Sequence, residues 1–491
     1  MMKRIKYQNS KIVIVLLLLL CSGCSNYLEI QPEAEVPAEE FFVNQEDAEA
    51  ALWSCYGILS HWNHYGGQGY LAAVMVPSDD EICYGFGPLY AYETFTYGPN
   101  EFRIGFLYRS RYQAINLSNQ LITNLPEISM DDNLKKTIEG EAKFLRALHY
   151  FELVRFFGGV PLVLSPVSSG EGNVRAPIEE VYSQIETDLQ FAIDHLPATW
   201  PETEVGRATR WAAMSLKAKA HMYQKEWTEV FSLTNEVINS SGHDLYDEAG
   251  LDSYYELFRV RNENNIESIF ELQSNTFEGN PDNINGGRQY GQVIGIEGGG
   301  FGGWANVVPT DELANAFDAA GDSIRKKATI LYAGEVTPDG DTVTMNPDQV
   351  PTVNPARYCG KAYVPKSVNP TNPYLAVSQQ NIRLIRFAEV LLMNAEAALE
   401  TGSGNAATPL NKVRARVGLP PIASPTLEDI YIERRLELAT EFNRFFDLIR
   451  TGKAPEVLGP LGFQAGKHEL FPIPLQEIEL TSGLLEQNPG W

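Results

Sequence analysis

Three stretches of this chain hold residue types that chemistry uses. Gly298-Gly299-Gly300-Phe301-Gly302-Gly303 has the GxGxxG spacing of a dinucleotide loop. Such a loop works only where it leaves a strand and opens a helix, so that phosphate meets the helix N-terminus. Here Trp304 to Pro309 follows and the next helix is predicted only from Thr310, so the context fails. His61-Trp62-Asn63-His64 sets two histidines three apart, but a zinc site needs a third ligand on a rigid element. Asp79-Asp80-Glu81 offers carboxylates of the kind that glycoside hydrolysis or a cation requires. Adjacency in sequence does not make two carboxylates face each other across a sugar, and this stretch is predicted as a polar loop. There is no GxxxxGK[ST], and no GxSxG or SxxK stands in a context that supports catalysis. No catalytic residue, cofactor or metal is expected.

Aromatic residues give a stronger signal. Positions 53 to 112 contain fifteen Trp, Tyr or Phe, about twice the chain average, and several lie where no core periodicity accounts for them. Sugar rings present flat C–H faces that stack on aromatic rings, while their hydroxyls need planar polar partners. The candidate platforms are Trp62, Tyr65, Tyr84, Tyr90, Tyr92, Tyr290 and Trp304, with Asp80 as a candidate hydroxyl partner. The competing reading is that such rings pin loops to a scaffold. Trp304 follows five glycines within Gly298 to Gly303, which permit a backbone path that lifts the indole out of the core.

The elements that must position these residues are mostly helical. Asn44 caps a first helix with the apolar face Ala48, Ala51, Leu52, Cys55 and Leu59. Further helices are predicted at about 101 to 124, then after a Ser129–Asp132 capping box up to Gly158-Gly159, and from Pro177 through Leu196. Residues 209 to 240 and 381 to 417 read as helical hairpins, turning near Lys225 and at Gly402-Ser403-Gly404. Small residues such as Ala212, Ala213, Ser215, Ala218 and Ala220 suit closely packed helix pairs of the tetratricopeptide type. Residues 427 to 450 are predicted as one more long helix. Between these blocks, about 243 to 378 is rich in Gly, Asn, Asp and Pro, with ten glycines in 279 to 303 alone. The predicted fold is mainly α: a tetratricopeptide-like helical scaffold with a loop-rich cap containing short strands.

The N-terminus sets an address. Lys3, Arg4, Lys6 and Lys11 precede the apolar run Ile12 to Leu20, which is too short to span a bilayer and fits a signal peptide. Small residues before Cys24 fit the site where a bacterial lipoprotein is cleaved and its cysteine acylated. Residues 1–23 are therefore expected to be removed, 24–42 to form the lipid anchor and tether, and 43–491 to form the folded domain. The net charge is −25, and a leader carrying four basic residues takes positive charge with it. Such a surface repels phosphate backbones, so no nucleic-acid partner is expected and the lipid alone would hold the protein to a membrane. Cys55, Cys83 and Cys359 are too few and too scattered for a disulfide framework and are expected to be buried apolar residues.

Several runs together carry a family resemblance. Glu141 to Leu148 and the continuation Leu153-Val154-Arg155-Phe156-Phe157-Gly158-Gly159-Val160-Pro161-Leu162 are similar to the signature helix of the SusD/RagB family. So are Ile382 to Leu392, Asn411 to Arg416, Glu433 to Leu438, Arg444 to Arg450, Phe471-Pro472-Ile473-Pro474 and Gln487-Asn488-Pro489-Gly490-Trp491. The resemblance implies an outer-membrane, surface-exposed lipoprotein that captures oligosaccharides and lids a SusC-like TonB-dependent transporter. It leaves open a peptide or glycoconjugate ligand. It also implies that the two aromatic loop regions meet on one surface. A glycoside hydrolase and a bare protein-binding scaffold are the other classes; the first lacks a catalytic constellation, and the second does not explain the aromatic loops. The Arg and Glu residues of these runs, Arg146, Arg155, Arg383, Arg386, Arg434, Arg435 and Arg444 among them, are expected to form structural ion pairs, because apolar helix faces run through the same segments.

Overall fold

The computed structural model describes residues 41–61, 63–65, 67–167, 174–248, 250–274, 290–345, 356–368 and 380–491. The leader, Cys24 and the tether before residue 41 lie outside them. Helix α1 (Gln45–Gly57) opens on the expected box, in which Asn44 accepts from the Asp47 N–H and Asp47 answers the Asn44 N–H. It packs on α3 (Phe102–Asn124) and α4 (Asp132–Phe157), as α2 (Gln68–Val74) packs on α3. The cap of α4 is Asp131, whose carboxylate accepts from the N–H groups of Asn133 and Leu134, two residues past the predicted Ser129. A carboxylate at the N-terminus of a 26-residue helix also meets the favourable end of the helix dipole.

From α3 onward each long helix packs on its successor: α4, α5 (Ile178–His195), α6 (Arg210–Gln224) and α7 (Trp227–Ser240). The small residues of α6 are fully buried between its neighbours, which lets the helix axes approach closely. Lys225, in the left-handed region at φ 61°, reverses the chain between α6 and α7. The next partner of α7 is not its sequence successor but α10 (Phe387–Thr401), which then packs on α11 (Ala407–Arg416) and α12 (Leu427–Glu437). The solenoid is thus continuous in space across a long insertion in sequence.

The insertion is closed at its base. Strand β2 (Ser268–Leu272) pairs antiparallel with β6 (Ile382–Arg386), so residues predicted as the start of a helix are a strand instead. Ile382 and Ile385 are buried in the main core, where β-branched side chains suit a strand packed on both faces. Within the insertion β4 (Ile330–Tyr332) pairs with β5 (Arg357–Cys359), beside helices α8 (Asp311–Ala320) and α9 (Ser323–Thr329). The predicted helix over 427 to 450 is broken into α12 and α13 (Arg444–Arg450) by Thr440 and Phe442, both at positive φ. The cause lies outside the local sequence. The Glu437 carbonyl accepts from the Tyr254 hydroxyl (2.6 Å), Lys361 Nζ (3.0 Å) and Arg386 Nη2 (3.1 Å), partners that replace the next helical N–H.

The C-terminal strap locks the bundle. Asn488 donates to the carbonyls of Phe157 and Phe471, and the Trp491 ring stacks on Tyr97 at 5.3 Å. No helix among the described residues is long and apolar enough to cross a membrane. Cys55, Cys83 and Cys359 are free and buried, as expected.

Candidate functional site

The glycine run builds a loop and not a nucleotide cradle. Gly298, Gly299, Gly300 and Gly302 all have positive φ, and the chain returns alongside itself: the N–H groups of Gly303, Trp304, Ala305 and Asn306 donate to the carbonyls of Ile296, Gln292, Gly295 and Val293. A side chain at Gly303 would strike the backbone of Gly295 and Ile296 at about 2.5 Å, so this close return requires glycine. Ala305 then adopts φ 47°, an uncommon conformation for a residue with a side chain. The outcome is that Trp304 stands 40% exposed between buried neighbours. No described ring stacks on it.

The two loop regions do meet. Strand β1 (Glu81–Cys83) pairs antiparallel with β3 (Val307–Pro309), with Cys83 opposite Val307, and the Tyr84 N–H donates to the Asn306 carbonyl at 2.9 Å. From Asn306 a polar line runs just beneath the surface, with Asn306 and Arg103 buried and Gln68 half-buried. Gln68 Nε2 donates to Asn306 Oδ1 at 3.1 Å, and Arg103 Nε donates to Gln68 Oε1 at 3.4 Å. The Arg103 guanidinium lies 4.3 Å from the ring centre of Phe102 and 5.7 Å from that of Phe86. Glu101 holds the other side of that guanidinium at 2.7 Å. Beside Cys83, the helical turn Tyr90–Glu93 leaves Tyr90 37% exposed, while Glu93 accepts from the Cys83 N–H. On the insertion side Lys366 Nζ sits 4.0 Å over the Phe301 ring. Exposed rings (Trp304, Tyr90 and Phe102) thus stand over a largely buried line of amide and guanidinium groups, of which only Gln68 is half-buried.

The remaining candidates sit elsewhere. Tyr84 is buried beneath the glycine loop with Ile296, Ala305 and Val308, and serves as its floor. Tyr65, Tyr92 and Tyr290 are core residues, a correction to the expectation. Tyr65 packs edge-on against Tyr70 at 4.8 Å, Tyr92 stacks on Tyr97 at 5.2 Å and donates to Glu101, and Tyr290 meets Phe442 at 5.9 Å. Partners distant in sequence also cover them, Arg111 over Tyr65 at 5.5 Å and Phe471 beside Tyr92 at 6.4 Å, as Phe442 does for Tyr290, so none offers a face to a ligand. Asp80 is also no hydroxyl partner: it is fully buried with Oδ1 2.7 Å from Arg435. Burial pushes its carboxyl up against the pull of Arg435, with neighbouring Asp79 adding to the rise. For Asp79 burial also opposes ionisation, but the two-pronged grip of Arg444 (2.7 and 2.8 Å) outweighs it and holds the carboxyl down. The pair staples this loop to α12 and α13. Trp62 lies outside the described residues. His64 is buried edge-on against His149 at 5.5 Å, with no third metal ligand beside it.

Phe86, Phe102, Arg103, Gln68 and Asn306 were not foreseen. Phe102 had a signal: it falls off the buried stripe of Ile104, Leu107, Tyr108 and Arg111 on α3. Gln68 and Asn306 carried none, since their pairing depends on β1 meeting β3.

A row of helix pairs carrying an insertion that presents an open aromatic surface defines a tetratricopeptide-like binding scaffold. The chain belongs to the SusD family. The sequence model described as "SusD family" matches residues 266–462, and one described as "Starch-binding associating with outer membrane" matches residues 90–222. A solved laminarin-binding SusD-like protein is 30% identical, with a TM-score of 0.77 over 91% of this chain and 100% of its own. Surface glycan-binding protein A from Bacteroides thetaiotaomicron, solved in complex with laminarihexaose, is 25% identical with a TM-score of 0.76 over 91% of this chain and 100% of its own. SusD-like protein P25 of Formosa agariphila is 28% identical over 98% of each chain.

Proposed function

We propose that this protein is a cell-surface glycan-binding lipoprotein that captures oligosaccharides and delivers them to a SusC-like TonB-dependent transporter, without cleaving them. The observation that carries the reading is the exposed Trp304 on its glycine loop, joined through β1 and β3 to Tyr90 and to the polar line of Asn306, Gln68 and Arg103. Exposed flat rings match the apolar face of a sugar, and the half-buried Gln68 amide is the planar polar group of the line that reaches solvent. Relatives named for laminarin and laminarihexaose support the ligand class. The carboxylates that hydrolysis would need are absorbed: Asp79 and Asp80 are locked by Arg435 and Arg444. The membrane link is assigned to acylated Cys24 and the partner contact to the helical scaffold.

Calorimetry with laminarihexaose and a panel of other oligosaccharides tests the reading. Binding of at least one, with no product released on long incubation, is expected. Turnover of a bound glycan, or no binding to any neutral or acidic oligosaccharide while short peptides bind, would overturn it.

A further inference from the structure

Far from the aromatic surface, three side chains from successive solenoid elements converge on one point. Glu186 projects from α5, His221 from the last turn of α6, and Glu226 from the residue that starts α7. One ligand atom of each lies within 4.8 Å of the other two. The His221 ring is buried at 5% exposure, and its Nδ1 faces both carboxylates, bonded to Glu226 and 3.8 Å from Glu186 Oε1. Gln224 Nε2 donates to Glu186 Oε1 at 2.7 Å and fixes that carboxylate.

The charges do not balance. A single N–H on Nδ1 serves one carboxylate, so the group stays net negative in either protonation state of the ring. Among the described residues neither Glu186 nor Glu226, both partly exposed, has a lysine or arginine within ion-pair distance, whereas buried carboxylates such as Asp188, Glu389 and Glu437 do. Like-charged groups held together without a counter-charge disfavour each other unless a cation lies between them. The donor set, one imidazole nitrogen and two carboxylates, selects a borderline transition ion over calcium or magnesium, which favour all-oxygen cages. Ligand atoms around one tetrahedral zinc stand roughly 3–3.5 Å apart, so small side-chain shifts complete the site. Glu226 and Glu186 are partly exposed, which gives the ion an entry path and leaves positions for water.

We propose that Glu186, His221 and Glu226 form a divalent transition-metal site, with zinc the fitting ion, that clips α5, α6 and the start of α7 together. The proposed role is structural, since the three ligands come from helices that pack on one another. Metal binding to this native constellation would raise stability by mass action. The gain belongs to the solenoid and leaves the aromatic surface untouched.

The test uses the tag-free mature protein, stripped with chelator and titrated with zinc chloride by calorimetry and thermal melting. One zinc per chain is expected, with a rise in Tm that calcium chloride does not reproduce. Glu226→Gln, at an exposed position where folding is safe, and His221→Ala should each weaken binding about tenfold or more and abolish the rise in Tm. Zinc binding with unchanged affinity and stoichiometry in both variants, or no stoichiometric zinc binding by the parent protein, would overturn the proposal.

Discussion

Two regions of this molecule gather the residue types that active sites use, and they behave in opposite ways. At the joint between insertion and solenoid, Arg325, Arg386 and Arg416 surround Glu437, with Asp322, Glu267, Glu433 and Glu441 completing the group. Arg325 and Glu437 are completely buried. Burial opposes the charge on Glu437, but the three guanidiniums hold its carboxyl far below the usual range. At the other region, Trp304 and Tyr90 face solvent with only a loose polar line beside them. The dense charge cluster is closed, saturated and mute, while the sparse aromatic surface is open. Density of functional groups therefore marks structure here, and the proposed binding surface is marked by accessibility instead.

The sharpest way to break this contrast is to remove the hub. Glu437→Gln removes the buried charge that three guanidiniums share and should cost about 3–5 kcal/mol, read by chemical denaturation. Glycan affinity of the molecules that remain folded should not change. A loss of affinity without loss of stability would make the cluster a binding site.

A second effect is set by pH. Burial, aided by the neighbouring Arg111, holds the His149 ring down to about 3, and burial likewise holds His64 low. The unfolded chain takes up these protons near pH 6.5 and the native state does not, so stability falls as pH drops from about 6.5 toward 3. Each ring contributes a slope of up to about 1.4 kcal/mol per pH unit across that window. Denaturation midpoints at a series of pH values check this, with His149→Leu expected to flatten the curve. An equally steep curve in that variant would assign the slope to other groups.

On the open side, Trp304→Ala should weaken glycan binding by about 1–3 kcal/mol and leave Tm nearly unchanged. Unchanged affinity would make Trp304 a loop anchor. The smallest effect is expected at Gly300, whose φ is 86° and whose added side chain would meet only Lys366 Cε at 4.0 Å. Gly300→Ala therefore isolates backbone preference, and a cost of about 1 kcal/mol in stability is expected, read from the shift in denaturation midpoint.

The sequence shows the helices because their periodicity is local, and it shows the glycine loop because no other residue tolerates those conformations. Gly402 ends a helix where expected for the same reason, and Lys225 ends another in the left-handed conformation despite its side chain. What it hides is decided by partners far along the chain. The break after Glu437 needs Tyr254, Lys361 and Arg386, and the strand at Ile382–Arg386 needs Ser268–Leu272. The site divides in the same way. Trp304 and Tyr90 were legible as loop aromatics, whereas Tyr65, Tyr92 and Tyr290 look identical in sequence until Arg111, Phe471 and Phe442 arrive to cover them.

The β2–β6 ladder has a consequence for how such a protein can change. It brings the two ends of the insertion together, so the solenoid experiences the segment between Leu272 and Ile382 as a closed loop. The entropy of closing a flexible loop grows only logarithmically with length, by about 0.6 kcal/mol for each doubling. Away from Arg325 and Lys361, which grip α12, and from β3, residues can therefore be added to or removed from that loop with little strain on α7 and α10, which already touch beneath it. The ladder acts as a socket, and the surface proposed to meet the ligand can be rewritten on one side of it while the helices on the other side keep their register.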